Sequence, residues 1–150
     1  NAEENEVDYY KGIAYQKLGN DAESTKYLMK ATQGSTEPQQ AFYYNDQQPD
    51  KIFYQGLAWR ALGEENKARS RFNKLIDHGK KHLFDDCKID YFAVSLPELA
   101  IWEDNLNIRN QIHCYYVMAL GYSGLGKEEL AEEYYEKVKR LDVNKQVFRM

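Results

Sequence analysis

Gly121-Tyr-Ser-Gly-Leu-Gly126-Lys127 comes one residue short of G-x-x-x-x-G-K-[ST], the glycine-rich turn whose backbone N–H groups cradle phosphate. A hydroxyl that reaches magnesium should follow, yet Glu128 stands there, and its carboxylate would repel the anion. That loop also needs a preceding strand, whereas the residues before Gly121 have helical spacing. An inter-helix turn is the reading that fits. His78 and His82 are spaced to share one helix face, as zinc ligands do, with Asp85 and Asp86 near enough to add an oxygen. Gly79 lies between them near a helix end, and no Glu follows His78 in the H-E-x-x-H manner. Histidines and lysines in a last turn complement the helix dipole without any metal.

His113 and Cys114 pair a base with a nucleophile by type, but adjacent helical residues do not face each other. Cys114 reads instead as a buried structural thiol. Ser95 lacks the flanking glycines of a nucleophile elbow. Glu98, Glu103 and Asp104 read as solvated or capping carboxylates, with Asp104 or Asn105 suited to cap a helix beginning nearby. No catalytic residue, cofactor site or metal site follows from these patterns.

The elements that carry these residues are helical. In the stretch Phe53–Ile76, Phe53, Leu57, Ala61 and Leu62 fall on one side of a 3.6-residue helix. Pro49 suits the first turn, and Leu62-Gly63 ends the helix, since glycine enters the left-handed cap conformation freely. A second helix opens on Glu64 and Glu65 and carries Ala68, Phe72, Leu75, Ile76 and Leu83 as its stripe. So short a turn permits only an antiparallel pair, and small Gly56 and Ala68 let its helices approach closely.

Composition bounds the class. The 150 residues are 43% hydrophobic and 29% charged, a globular balance long enough for a real core, so residues 3–150 are expected to form a single domain. A net charge of −4 argues against a nucleic-acid partner, and no apolar run approaches the ~20 residues of a membrane span. Two cysteines, Cys87 and Cys114, suit a reducing, cytoplasmic setting and are expected to be inert. Asn1 and Ala2 resemble the remnant of a cleaved expression tag, and the abrupt stop after Met150 suggests a piece of a longer protein.

Leu18-Gly19, Leu62-Gly63 and Leu125-Gly126 punctuate the chain, each between a helical pattern and a charged one. Gly12, Gly56 and Ala119 each precede an aromatic by three residues, at Tyr15, Trp59 and Tyr122. Twelve residues after the same three stand Ser24, Ala68 and Ala131, followed at four by Leu28, Phe72 and Tyr135. With these spacings the chain resembles tetratricopeptide-repeat proteins, although the glycine turns lie farther apart than the repeat's roughly 34 residues. The first copy departs from the pattern at Asp8 and Lys11, where bulky apolar residues are usual. The expected fold is all-α: TPR-like antiparallel hairpins at about 6–32, 49–84 and 105–141, stacked in a short right-handed superhelix. Trp59, Phe72, Tyr122 and Tyr135 should be core. The last helix, 127–141, should bury Leu130, Tyr134, Val138 and Leu141.

Two insertions separate the hairpins, at about 34–48 and 85–105. The first should hold a helical turn over Ala41–Tyr44 that docks Phe42 and Tyr43. The second is too apolar for a solvated loop. It should form a short helix to about Val94, break before Pro97, and pack Phe92, Leu96 and Trp102 on the hairpins before a long helix begins near Leu106.

YYNDQQPDKIFYQGLAWRALG, DYFAVSLPELAIWEDNLNIRN and IHCYYVMALGYSGLG are similar to the helical region of bacterial DUF5107-domain proteins, in which a galactose-mutarotase-like β-sandwich precedes the repeats. The repeat resemblance implies a concave face lined by the first helix of each hairpin, at Tyr9, Ile13, Phe53, Leu57, Tyr116 and Leu120. An aromatic surface of that kind suits a peptide or a sugar ring, unless the insertions fill it. The sequence thus points to a non-catalytic scaffold that binds a protein, a peptide or a neighbouring domain of its own chain. The alternative is the helical accessory region of a carbohydrate-active enzyme.

Overall fold

The computed structural model describes residues 2–38, 48–86 and 97–148, with side chains placed for 4–38, 49–86 and 106–143. These residues form six helices: α1 (Ala2–Lys17), α2 (Asp21–Ala31), α3 (Gln48–Ala61), α4 (Glu65–His82), α5 (Pro97–Gly124) and α6 (Glu128–Phe148). No strand occurs among the described residues. The expected turn at Ala41–Tyr44 and the expected packing of Phe92, Leu96 and Trp102 lie outside the described residues or side chains, as do Cys87 and Ser95.

Three tight turns of one design fold the helices into pairs. Gly19, Gly63 and Gly126 adopt φ of 78°, 84° and 77°, a conformation only glycine enters without strain. In each turn the residue after the glycine donates its N–H across the helix end: Asn20 to the Tyr15 carbonyl, Glu64 to Trp59 and Lys127 to Tyr122, all at 2.9 Å. This closure satisfies carbonyls that the helix end would otherwise orphan. Asn20 also caps α2, its side-chain oxygen accepting from the Glu23 N–H at 3.2 Å.

Within a pair, a small residue on the first helix makes room for a large one on the second. A Cβ placed on Gly12 would lie 2.6 Å from Leu28 Cγ, and one on Gly56 would lie 2.5 Å from the Phe72 ring. Between pairs, α3 packs on α1 and α2, and α5 packs on α3 and α4. A Cβ on Gly124 would meet Phe72 near the start of α4, and one on Gly79, near its end, would meet Cys114 and Met118. The two orders run oppositely, so α4 and α5 are antiparallel.

The core follows this stacking. Leu28, Ala31 and Ala58 join α2 to α3, Ile52, Leu75, Val117 and Leu120 join α3, α4 and α5, and Ile76, Met118, Tyr122 and Ala131 join α4, α5 and α6. Three buried amides close helix ends. Asn5 Nδ2 donates to the carbonyls of Ala31 and Gln33 at 2.7 and 3.0 Å, and Gln55 Nε2 donates to Gln33 and Ser35 at 3.0 and 3.1 Å. Asn110 Nδ2 donates to His82 at 2.7 Å. Lys74 holds the segment after α2 by donating to Thr36 at 3.1 Å and Glu37 at 2.9 Å.

Several boundaries and burials differ from expectation. The first helix starts at Ala2 rather than Glu6, so the residue read as a tag remnant is helical. The long third-hairpin helix starts at Pro97 rather than near Leu106, with proline in the first turn, where its missing N–H costs nothing. The last helix runs on to Phe148. Leu130 is 37% exposed, because α6 turns Ala131 and Tyr134 toward α5 instead. Phe72 and Tyr122 are buried, whereas Trp59 and Tyr135 are only half-buried.

Candidate functional site

The face shared by α1, α3 and α5 carries a cluster of aromatic side chains. Tyr9, Tyr10 and Tyr54 form a triangle, with ring centroids 5.2 Å apart between Tyr9 and Tyr10 and 5.9 Å from each to Tyr54. Phe53 continues the contact, 5.5 Å from Tyr54 and 5.9 Å from Phe72. Tyr116 lies on the far side of α3, 6.3 Å from the Tyr135 ring, and its hydroxyl donates to Asp50 Oδ1 at 2.5 Å. That bond joins residues 66 apart in sequence and ties the third hairpin to the second.

Of the residues expected on this face, Tyr9, Ile13, Phe53, Leu57 and Tyr116 are half-buried, so each shows one edge to solvent and packs the other. Leu120 is only 6% exposed and belongs to the core beneath. Tyr10, Tyr54, Asp50 and Tyr135 complete the surface and were not anticipated. Tyr10 and Tyr54 stand two residues before Gly12 and Gly56, a position that the repeat register assigns to the contact between hairpins. Tyrosine there is long enough to reach past that contact.

The surroundings of the face disfavour ionisation of its phenols. Burial pushes the hydroxyls of Tyr9, Tyr54, Tyr116 and Tyr135 above the ordinary tyrosine range. The Tyr54 hydroxyl is raised further by its hydrogen bond with Tyr10, and that of Tyr116 by donation to Asp50. Burial also lifts the Asp50 carboxyl, against the Tyr116 hydrogen bond that lowers it, while Glu6 adds repulsion. The phenols are therefore protonated rings with polar tips, set beside the carboxyls of Glu6 and Asp50. Such a surface can stack and hydrogen-bond a ligand, and it favours positive charge.

The other candidates resolve differently. Leu125, Gly126 and Lys127 spend their N–H groups on the carbonyls of Gly121, Ser123 and Tyr122, which leaves no backbone cradle for phosphate. The His78 ring lies 4.6 Å from His82 and 6.1 Å from His113, and His82 Nδ1 lies 2.6 Å from Asp85 Oδ2. Burial, reinforced by the two neighbouring histidines, lowers His78 to about 4, so it is neutral at pH 7. Among the described residues no group of three or more His, Cys, Asp or Glu is arranged to hold a metal ion. Cys114 is fully buried, with its thiol 3.7 Å from Asn110 Oδ1.

Antiparallel helix pairs stacked through small residues, with one face of aligned first helices, define a helical-repeat fold. Residues 52–78, spanning most of α3 and α4, match a tetratricopeptide-repeat model, and residues 112–144, spanning parts of α5 and α6, match another. The fold is all-α and tetratricopeptide-like, and repeats of this kind generally mediate protein–protein interaction or scaffolding and are typically non-catalytic. No solved structure matches the chain. No helix among the described residues is long and apolar enough to cross a membrane.

Proposed function

We propose that this domain is a non-catalytic scaffold that holds a peptide, or a neighbouring domain of its own chain, across the face built from Tyr9, Ile13, Phe53, Leu57 and Tyr116. The observation that carries this reading is the run of tyrosine rings from Tyr10 through Tyr54, continued by the hydrogen-bonded pair Tyr116–Asp50. Rigid rings supply contact area at little entropic cost, and their hydroxyls supply adaptable hydrogen bonds. Glu6 and Asp50 bias the face toward a ligand with lysine or arginine. Buried Cys114 is compatible with a cytoplasmic setting.

Selection from a displayed random-peptide library tests this. Enriched peptides should carry basic residues, and their binding should weaken at least about tenfold on Tyr54→Ala or Asp50→Asn, a loss of ~1.4 kcal/mol. Enrichment indifferent to both substitutions would refute the site. A second reading draws on the stretch Tyr91–Pro97, which is not part of the generic repeat. It makes this the helical accessory region of a carbohydrate-active protein of DUF5107 type, with the same rings meeting sugar.

A further inference from the structure

Three imidazoles meet in a tightly packed part of the α4–α5 contact. His78 and His82 stand one turn apart on α4 with ring centroids 4.6 Å apart, and His113 reaches the His78 ring from α5 at 6.1 Å, nearly perpendicular to it. The helices leave little slack here. A Cβ on Gly79, the residue after His78, would lie 2.7 Å from the Cys114 carbonyl oxygen and 2.3 Å from Met118. One turn further on, Asn110 of α5 closes the end of α4 by donating to the His82 carbonyl at 2.7 Å.

This site suits a neutral His78 and opposes a cationic one. Its Nε2 is buried without a hydrogen-bond partner, so a proton added there would meet no acceptor. The carboxylates that face it are engaged by other groups. Asp85 lies 2.6 Å from His82 Nδ1, and Glu37, in the segment after α2, accepts from Lys74 at 2.9 Å. His82 and His113 repel a charge on His78, and Lys74, one turn earlier on α4, is a further cation on the same side. α3 meets α4 through apolar side chains, Ile52 and Leu75.

We propose that His78 is an acid-operated latch: uptake of a proton parts the end of α4 from α5, exposing Cys114 and the last-turn carbonyls of α4 while the rest of the stack holds. Opening stays local because the next contacts along the pair, Gly121 and Gly124 against Ile76 and Phe72, contain no titratable side chain. The direction follows from His78 itself, lowered to about 4 by burial first and by His82 and His113 second, from an ordinary 6.5. Above pH 6.5 the ring is neutral whether the joint is closed or open. Below it, the opened joint takes up a proton that the closed joint refuses. Between pH 7 and pH 5 linkage alone favours opening about 20-fold, and solvent screening of a half-buried ring reduces this to about tenfold. The latch lies in the α4–α5 joint, not on the tyrosine face, and stands independently of the peptide-binding reading.

The test is reaction of Cys114 with a pyridyl disulfide, which attacks thiols in mild acid as well as at neutrality. The product is located by peptide mass spectrometry, and the rate is normalised to the unfolded chain at the same pH. From pH 7 to pH 5 that rate should rise about tenfold in the wild type and less than about twofold in His78→Asn, with both proteins helical by circular dichroism. Amide exchange, corrected for its intrinsic pH dependence, should accelerate in the last turn of α4 and not in α1 or α2. An unchanged wild-type rate, or an equal rise in the two proteins, would overturn the proposal. Matching acceleration of α1 and α2 would overturn it too, by making the opening global. The wild type alone guards against a variant that fails to fold: its His78 ring resonance should still report a neutral imidazole at pH 6, where an ordinary histidine is mostly protonated. A His78 ring that is mostly protonated at pH 6 would sink the latch.

Discussion

Phe72 fills the space where a side chain on Gly124 would stand: a Cβ there would lie 2.2 Å from the ring. A Cβ on Gly56, on α3, would meet the same edge of the ring, 2.5 Å from Cε1. One phenylalanine therefore sets the approach of α3, α4 and α5 at once. Gly124→Ala should destabilise the fold by ~1–3 kcal/mol, the range for overpacked cores, despite a helix-propensity gain of up to about 1 kcal/mol. Phe72→Ala should cost ~3–5 kcal/mol, as for other large-to-small core changes. Denaturant titration reads both, and a neutral Gly124→Ala would show that the α4–α5 contact is looser than described.

The buried amides should matter as much as apolar residues of similar size. Asn5→Ala leaves the Ala31 carbonyl without its 2.7 Å donor, and Asn110→Ala does the same to His82. Each loss should cost ~1–3 kcal/mol, the penalty for stranding a buried polar group. Hydrogen exchange should accelerate first in the last turn of α2 for Asn5→Ala, and in the last turn of α4 for Asn110→Ala. Uniform acceleration across the chain would argue against a local closure.

These features mark the limit of what the sequence makes legible. The Leu-Gly turns are readable because positive φ selects glycine, and the Gly56–Phe72 fit is readable because both residues lie in one hairpin. The start of α5 is not. Asp104 and Asn105 have the chemistry of caps, and Pro97 reads equally well as a break or as a first-turn residue. Leu130 is misleading because composition cannot tell the α6 face bearing Ala131 from the one beside it. Tyr116 and Asp50 are the hardest case, since a bond between residues in different hairpins leaves no local pattern. The aromatic face was therefore legible as a row of first-helix positions, while its hydrogen bonding and its carboxylates were not.

Cys114 should resist thiol reagents in the native state. It is fully buried in α5 against Gly79, with the Asn110 amide oxygen 3.7 Å from its sulfur. Labelling at this residue, followed by peptide mass spectrometry, should proceed no faster than opening of the α4–α5 contact. Denaturant should accelerate it in step with unfolding. Immediate stoichiometric labelling of Cys114 in native buffer would contradict the packing.

Stability should fall as the solution is acidified below neutrality, and His78 should account for part of the fall. Its folded pKa of about 4 lies below the ordinary histidine value of 6.5, through burial first and the nearby histidines second. Above about pH 6.5 the ring is neutral in both states and no penalty exists. Between 6.5 and about 4 the unfolded chain takes up a proton that the folded chain refuses, so folding loses free energy throughout that window. Below it, both states are protonated and the loss levels off. Because the ring is partly exposed, solvent screening reduces the effect to roughly 1–2 kcal/mol. Asp50, whose carboxyl is raised by burial, acts in the opposite direction, so comparison with a variant is needed to isolate His78. Unfolding free energies at pH 7 and pH 5 should therefore differ more in the wild type than in His78→Asn. Equal differences in the two proteins would show that His78 titrates normally and that its surroundings are wetter than the packing of α4 on α5 implies.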